Sequence, residues 1–187
     1  MSLTNLLLPT YRQMLRTLAG LLAKAQADMP ARAEALLSAR LADDMLPLAA
    51  QIRFALFQAQ EAVFRLRGAP VPDWLTAIAA EGRAAETMTG SMADAIGLID
   101  AALSFLDGLT GDVLDDGASR AITIVLPGGL IFDMTGADYA RDWALPQFYF
   151  HVVTAYAILR HEGVAIGKAE YVPHMFAYLR PAAQDAA

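Results

Sequence analysis

Apolar residues recur at helical spacing along four long stretches of this chain, while runs of β type occur in one place only. That pattern limits the fold more than any other feature. Side chains three and four apart share a helix face, so each stretch has a stripe to bury against its neighbours. No alternation of strand and helix supports a parallel sheet, which leaves an all-α bundle with one small hairpin.

The first helix is predicted over Leu3 to Ala27, with Leu7, Met14, Leu18, Leu21 and Leu22 on one stripe. Pro9 is expected to limit its regular part to the residues beyond the proline, and Asp28-Met29-Pro30 to close it. A short helical piece, Ala31 to Ser38, leads to a turn around Leu41 to Asp44. Asp43 or Asp44 then caps a second long helix, Met45 to Arg67, with Pro47 in its first turn. Gly68-Ala69-Pro70-Val71-Pro72 breaks the chain. A third long helix starts at Trp74 or Ile78 and reaches Leu106. Gly82, Gly90 and Gly97 weaken it, and their spacing suits close approach of another backbone.

From Ala121 the pattern changes. ITIVL and LIFDM flank Pro127-Gly128-Gly129, which predicts a β-hairpin that lies on the helices or pairs with a partner chain. A fourth helix is predicted from Asp138 to Arg160, with a kink or restart near Leu145 because of Pro146. Gly163 and Gly167 end it, and the aromatic tail Ala169 to Leu179 is expected to pack on the body. One domain, 1–180, and a frayed tail, 181–187, result.

Composition removes several classes of function. The net charge is −6, with no basic run, so nucleic acid is not expected as a partner. There is no Cys, which excludes disulfides, thiolate metal sites and Cys nucleophiles. The chain is 56% hydrophobic with a mean hydropathy of +0.37. A membrane span needs about 18 or more apolar residues in a row. The longest candidate, Phe148 to Leu159, is shorter and contains His151. The N-terminus has neither the basic start nor the long apolar core of a signal peptide. A cytoplasmic homodimer that buries apolar surface between its copies is therefore expected.

The helices also carry polar stripes. Gln51, Phe54, Gln58, Glu61 and Arg65 share one face of the second helix; Ala144, Gln147, His151, Thr154, Ile158 and His161 share one face of the fourth. Bundles build sites from side chains on facing helices, so Gln58, Gln147 and His151 can converge on one cavity. One imidazole and two amides suit zinc poorly, because amide oxygens are hard neutral ligands. Glu61, one turn from Gln58, can add a carboxylate. The plainer alternative is that Gln58, Gln147 and His151 hydrogen-bond one another or buried water. His161 beside Glu162 fits a helix C-terminus, and His174 a surface or packing position. Trp74 and Trp143 are expected in the core or at an interface. Pro127-Gly128-Gly129 opens no helix and is no phosphate loop, and there is no nucleophile elbow, GxxxxGK[ST] or HExxH.

The segment LPQFYFHVVTAYAILRHEGVAIGK, Leu145 to Lys168, resembles the most recognisable stretch of an uncharacterised bacterial domain-of-unknown-function family. Leu41 to Gly68 fits as well, as does the hairpin with TGADY directly after it, so the resemblance covers nearly the whole chain. That family looks like a branch of the DinB/YfiT-like metalloenzyme superfamily of four-helix bundles. The resemblance implies a DinB/YfiT-like four-helix bundle with the hairpin between the third and fourth helices, and a dimer. DinB-like proteins place one His on the second helix and a His-x-x-x-His pair on the fourth, and bind a divalent metal, often nickel or zinc. Here the pair reads Gln147-x-x-x-His151, and the second-helix position falls near Gln58, so only His151 remains as an imidazole. The thiol-dependent activities of the superfamily need the intact triad and are not carried over.

Two functions are compatible with these residues. In the first, the degenerate Gln58/Gln147/His151 site of a homodimer binds water or a small ligand without a tightly held metal. In the second, a divalent-metal-dependent enzyme of the thiol-dependent transferase or hydrolase type uses His151 as ligand or base, with Gln58 and Gln147 orienting water or substrate, and Tyr149 or Tyr156 lining the cavity. Its metal would be divalent, nickel or zinc, held by His151, Gln147 and Gln58.

Overall fold

A computed structural model describes residues 2–126 and 128–180. Pro127, expected in the hairpin turn, and the expected frayed tail, 181–187, lie outside the described residues. The structure is mostly helical with one two-stranded antiparallel sheet.

Helix α1 spans Leu3–Asp28. Ser2 caps it, its hydroxyl accepting from the Asn5 N–H at 3.1 Å. Pro9 does not shorten it: the helix runs through. The carbonyl left without a partner belongs to Asn5, on the exposed face, where water can satisfy it. After the short α2 (Ala33–Leu36), α3 spans Leu48–Arg67. Its N-cap is Pro47, not Asp43 or Asp44, which stand exposed in the preceding turns. Gly68 ends α3 at φ 66°, the left-handed conformation that favours glycine at this position.

The predicted third helix is two helices, α4 (Asp73–Ala84) and α5 (Met92–Asp107). The break has two causes. Gly90 takes φ 72°, and Ser91 forms a capping box with Asp94 that starts a new helix. The glycines do not form a backbone-packing seam either. A Cβ at Gly82 would meet the Phe54 ring, and one at Gly97 would meet nothing within 4 Å.

Strands β1 (Ala121–Val125) and β2 (Ile131–Thr135) pair from Ala121 opposite Thr135 to Val125 opposite Ile131. β1 lies on the chain's own helices through buried Ile122 and Ile124, whereas Ile131 and Phe132 of β2 are exposed. One helical turn, α6 (Gly136–Asp138), leads into wide π-helical turns over Tyr139–Ala144, and these run directly into α7 (Leu145–His161). The interruption expected at Pro146 takes this form. Proline has no N–H to return to the preceding turn, and the turns before it widen. A short α8 (Lys168–Tyr171) packs on α1, but the tail beyond it is less covered than expected, with Met175, Phe176, Tyr178 and Leu179 exposed.

The core is built where α3 packs on α4, α5 and α7, and where α1 packs on α5 and α7. Among the described residues, no helix is long and apolar enough to cross a membrane.

Candidate functional site

Helices α3 and α7 face each other, and their polar stripes meet. His151 and Gln147 are one turn apart on α7, and Trp143 lies one step earlier in the π-helical turns. Opposite them, α3 presents Gln51, Phe54 and Gln58. A cleft of about 310 Å³, open to solvent, is lined by Leu46, Phe54, Gln58, Leu126, Trp143, Gln147 and His151, all of them half-buried. Three of the residues singled out in the sequence, Gln58, Gln147 and His151, thus line one space. Leu126 at the end of β1 brings the hairpin to its rim.

The direct partner of His151 is Gln51. Its Oε1 lies 2.8 Å from His151 Nδ1, and its Nε2 donates to the Leu46 carbonyl at 3.0 Å. These two contacts fix the tautomer. A carbonyl only accepts, so the Gln51 NH₂ must face Leu46 and its oxygen must face the imidazole. His151 Nδ1 therefore carries the hydrogen and donates it, and Nε2 keeps its lone pair as an acceptor. The ring stacks on Phe54, centroids 5.2 Å apart and planes 26° off parallel, with Phe150 edge-on at 5.3 Å. Burial pushes the imidazole pKa down to about 4, so His151 is neutral at pH 7. Sequence reasoning placed the second-helix position near Gln58. Gln51, two turns earlier on the same face, holds the ring instead. The shared stripe was the available signal, and nothing in it ranked Gln51 above Gln58.

Glu61 and Tyr149 stand elsewhere and are not among the cavity's lining residues. Glu61 is buried and paired with Arg65 on its own helix, at 2.8 and 2.6 Å. Burial raises its carboxyl pKa against the lowering effect of that guanidinium. Tyr149 packs its ring against Phe148, centroids 5.7 Å apart. Tyr156 pairs with Tyr171 beside a separate pocket that Val153 and Lys168 also line. Trp74 is 48% exposed, against Phe64 and Phe105. The donor set at the cavity is thus one imidazole and two amides. Among the described residues, no group of three or more His, Asp or Glu stands close enough to hold a metal ion. With one imidazole nitrogen committed to Gln51 and no carboxylate on the wall, these residues do not fit nickel or zinc.

Two side chains missed in the sequence are Tyr11 and Tyr139. Both are fully buried, and neither hydroxyl has a hydrogen-bond partner among the described residues. Burial drives both phenol pKa values upward, and the Glu61 carboxylate adds to the effect. An unpartnered buried hydroxyl stabilises nothing. Tyr11→Phe, which keeps the edge-on contact with Phe148 at 4.8 Å, should hold stability within about 1 kcal/mol of the parent or raise it. Urea unfolding checks this. A loss of about 2 kcal/mol or more would mean that the hydroxyl has a partner.

Comparison with known proteins adds kinship. The family model described as "Domain of unknown function (DUF1993)" matches residues 3–172. The crystal structure of a DinB family member protein from Shewanella denitrificans is similar to this chain at 31% identity, with a TM-score of 0.71 over 90% of each chain. No curated protein matches the chain.

Proposed function

Because the chain belongs to the DUF1993 family of domains of unknown function and is DinB-like, we propose that it is a small-molecule binding protein, its ligand seated between α3 and α7 without a tightly held metal. The observation that carries this reading is the cavity bounded by Gln58, Gln147 and His151, with the His151 ring fixed by Gln51. A neutral imidazole with one nitrogen committed and one open is a hydrogen-bonding group for a ligand or a water. The two amides flanking it both donate and accept.

The layout we assign is a four-helix bundle of α1, α3, α5 and α7, supported by the ring of contacts from α1 to α5, α5 to α3, α3 to α7 and α7 back to α1. The proposal includes a cytoplasmic homodimer. Leu130, Ile131, Phe150 and Val153 are all exposed, and the hairpin and α7 to which they belong supply apolar surface for a second copy.

Elemental analysis tests the reading. Tag-free protein purified without chelator, and its His151→Ala variant, should both contain far less than one metal per chain. A stoichiometric nickel or zinc in the parent that disappears in the variant would overturn it. The protein would then be a divalent-metal enzyme that uses His151.

A further inference from the structure

The cavity's wall differs from an ordinary polar cleft in what it lacks. Among the described residues that line it, none carries a formal charge. Two of the three arginines of α3 are committed elsewhere, and the third, Arg67, is exposed at the far end of the helix. Arg65 is paired with Glu61, and Arg53 donates to the Ala49 carbonyl and pairs with Glu81. The cleft is open to solvent, but a carboxylate or an ammonium set against its wall still loses part of its hydration and meets no opposite charge there. The protein's net charge of −6 disfavours anions further.

The wall mixes two kinds of side chain. Leu46, Phe54, Leu126 and Trp143 are apolar, and two of them are aromatic. Gln58, Gln147 and His151 are polar but neutral. An amide side chain offers both a carbonyl and an NH₂, so it pairs reciprocally with another amide. His151 adds an acceptor at Nε2, since Nδ1 is taken by Gln51. A ligand that satisfies this set has both N–H donors and a carbonyl-type acceptor at one end and a flat apolar body at the other. The volume, about 310 Å³, lies at the small end of ligand pockets, so the ligand is of fragment size.

We propose that this site takes a neutral primary amide, or a compound with an equivalent donor–acceptor edge, carried on a flat apolar ring. The amide edge faces Gln147 and His151, and the ring lies against Trp143 and Leu126. This rests on the reading of the cavity as a ligand site and adds the charge class and shape of the ligand.

Three probes of one shape decide it: benzamide, benzoate and benzylamine, which are neutral, anionic and cationic at pH 7. The chain has two tryptophans, so a Trp74→Phe variant leaves Trp143 on the cavity wall as the only indole emitter. Titration of each probe into that variant reads binding through Trp143 fluorescence. Benzamide should bind at least about tenfold tighter than either charged probe, a difference well within the reach of one unpaired charge. Gln147→Leu should weaken benzamide by roughly tenfold, and Gln147→Asn, which keeps an amide, by less. Equal or tighter binding of benzoate or benzylamine would overturn the neutral class and leave the ligand-site reading in place. Benzamide binding unchanged by Gln147→Leu would overturn the placement. No response to any of the three probes would overturn both.

Discussion

Gly136→Ala should destabilise the protein by about 3 kcal/mol or more, at the upper end of what overpacking costs. A Cβ built on Gly136 runs into the carbonyl oxygen of Gly117, and one built on Gly117 runs into the carbonyl oxygen of Leu66. Three backbone segments are therefore stacked without side chains between them: the last turn of α3, the 3₁₀ turn Asp115–Gly117, and the start of α6. The Ala137 N–H donates to the Ala118 carbonyl at 2.9 Å, and Arg120 Nε donates to the Leu66 carbonyl at 3.2 Å, which locks the stack. Neither glycine has a positive φ, so the cause is space and not backbone conformation. A clashing side chain can rotate away; a clashing carbonyl moves its whole segment. In a domain of this size the loss corresponds to a fall of roughly 6–12 °C in melting temperature. Gly97→Ala is the contrast. Its Cβ meets nothing within 4 Å and it sits inside α5, so the same chemical change should raise stability by up to about 1 kcal/mol. If Gly136→Ala melted with the parent, the stacked segments would not be in contact in solution.

The second large effect is one of pH. His151 titrates at about 4 in the folded protein against 6.5 for the ordinary group, because burial disfavours the imidazolium. The unfolded chain therefore takes up its proton first as the pH falls. Above pH 6.5 the ring is neutral in both states and its contribution is complete. Between pH 6.5 and 4 the unfolded state gains a proton that the folded state refuses, and stability is lost. Below pH 4 both states are protonated and the loss stops growing. The total is roughly 3 kcal/mol. Glu61 works the other way, since its raised pKa favours the folded state on acidification. The comparison is thus between the parent and His151→Phe, in which Glu61 is common to both. Urea unfolding from about pH 7 to about pH 4 should show a decline in the parent that exceeds the variant's by that amount. Parallel curves would mean that His151 is hydrated and charges freely in the fold.

Much of the helical framework was readable because long amphipathic stretches fix helices whatever their neighbours do. α1, α3 and the hairpin fall within a few residues of their predicted bounds. The predicted fourth helix matches the whole helical run from α6 through the π-helical turns to the end of α7, while α7 itself begins seven residues late, at Leu145. The split between α4 and α5 was missed although Ser91 and Asp94 have the spacing of a capping box. Apolar periodicity continues on both sides of Gly90, and periodicity alone does not register a change of axis. The i, i+4 spacing put Gln147 and His151 on one face of a helix, and the habit of bundles to build sites between facing helices added Gln58; the three do line one cleft. The choice of Gln51 as the residue that fixes His151 was not, because it depends on where the Leu46 carbonyl comes to rest before α3 begins. Glu61 shares the stripe but not the cavity, since Arg65, one turn along, reaches it first. Tyr11 and Tyr139 gave no signal, as an aromatic ring on an apolar stripe looks the same whether or not its hydroxyl is partnered.

The wide turns from Tyr139 to Ala144 also set an angle. Each residue advances an α-helix by about 100° about its axis, so one residue more or fewer rotates everything on one side relative to the other. The hairpin and Gly136 stand before these turns, and Gln147 and His151 after them. The π segment therefore works as a phase offset: it lets Gly136 press on Gly117 while His151 faces Gln51, two alignments that the turns between them hold in step. A chain one residue shorter here would keep every side chain of both halves and still be unable to satisfy the two at once.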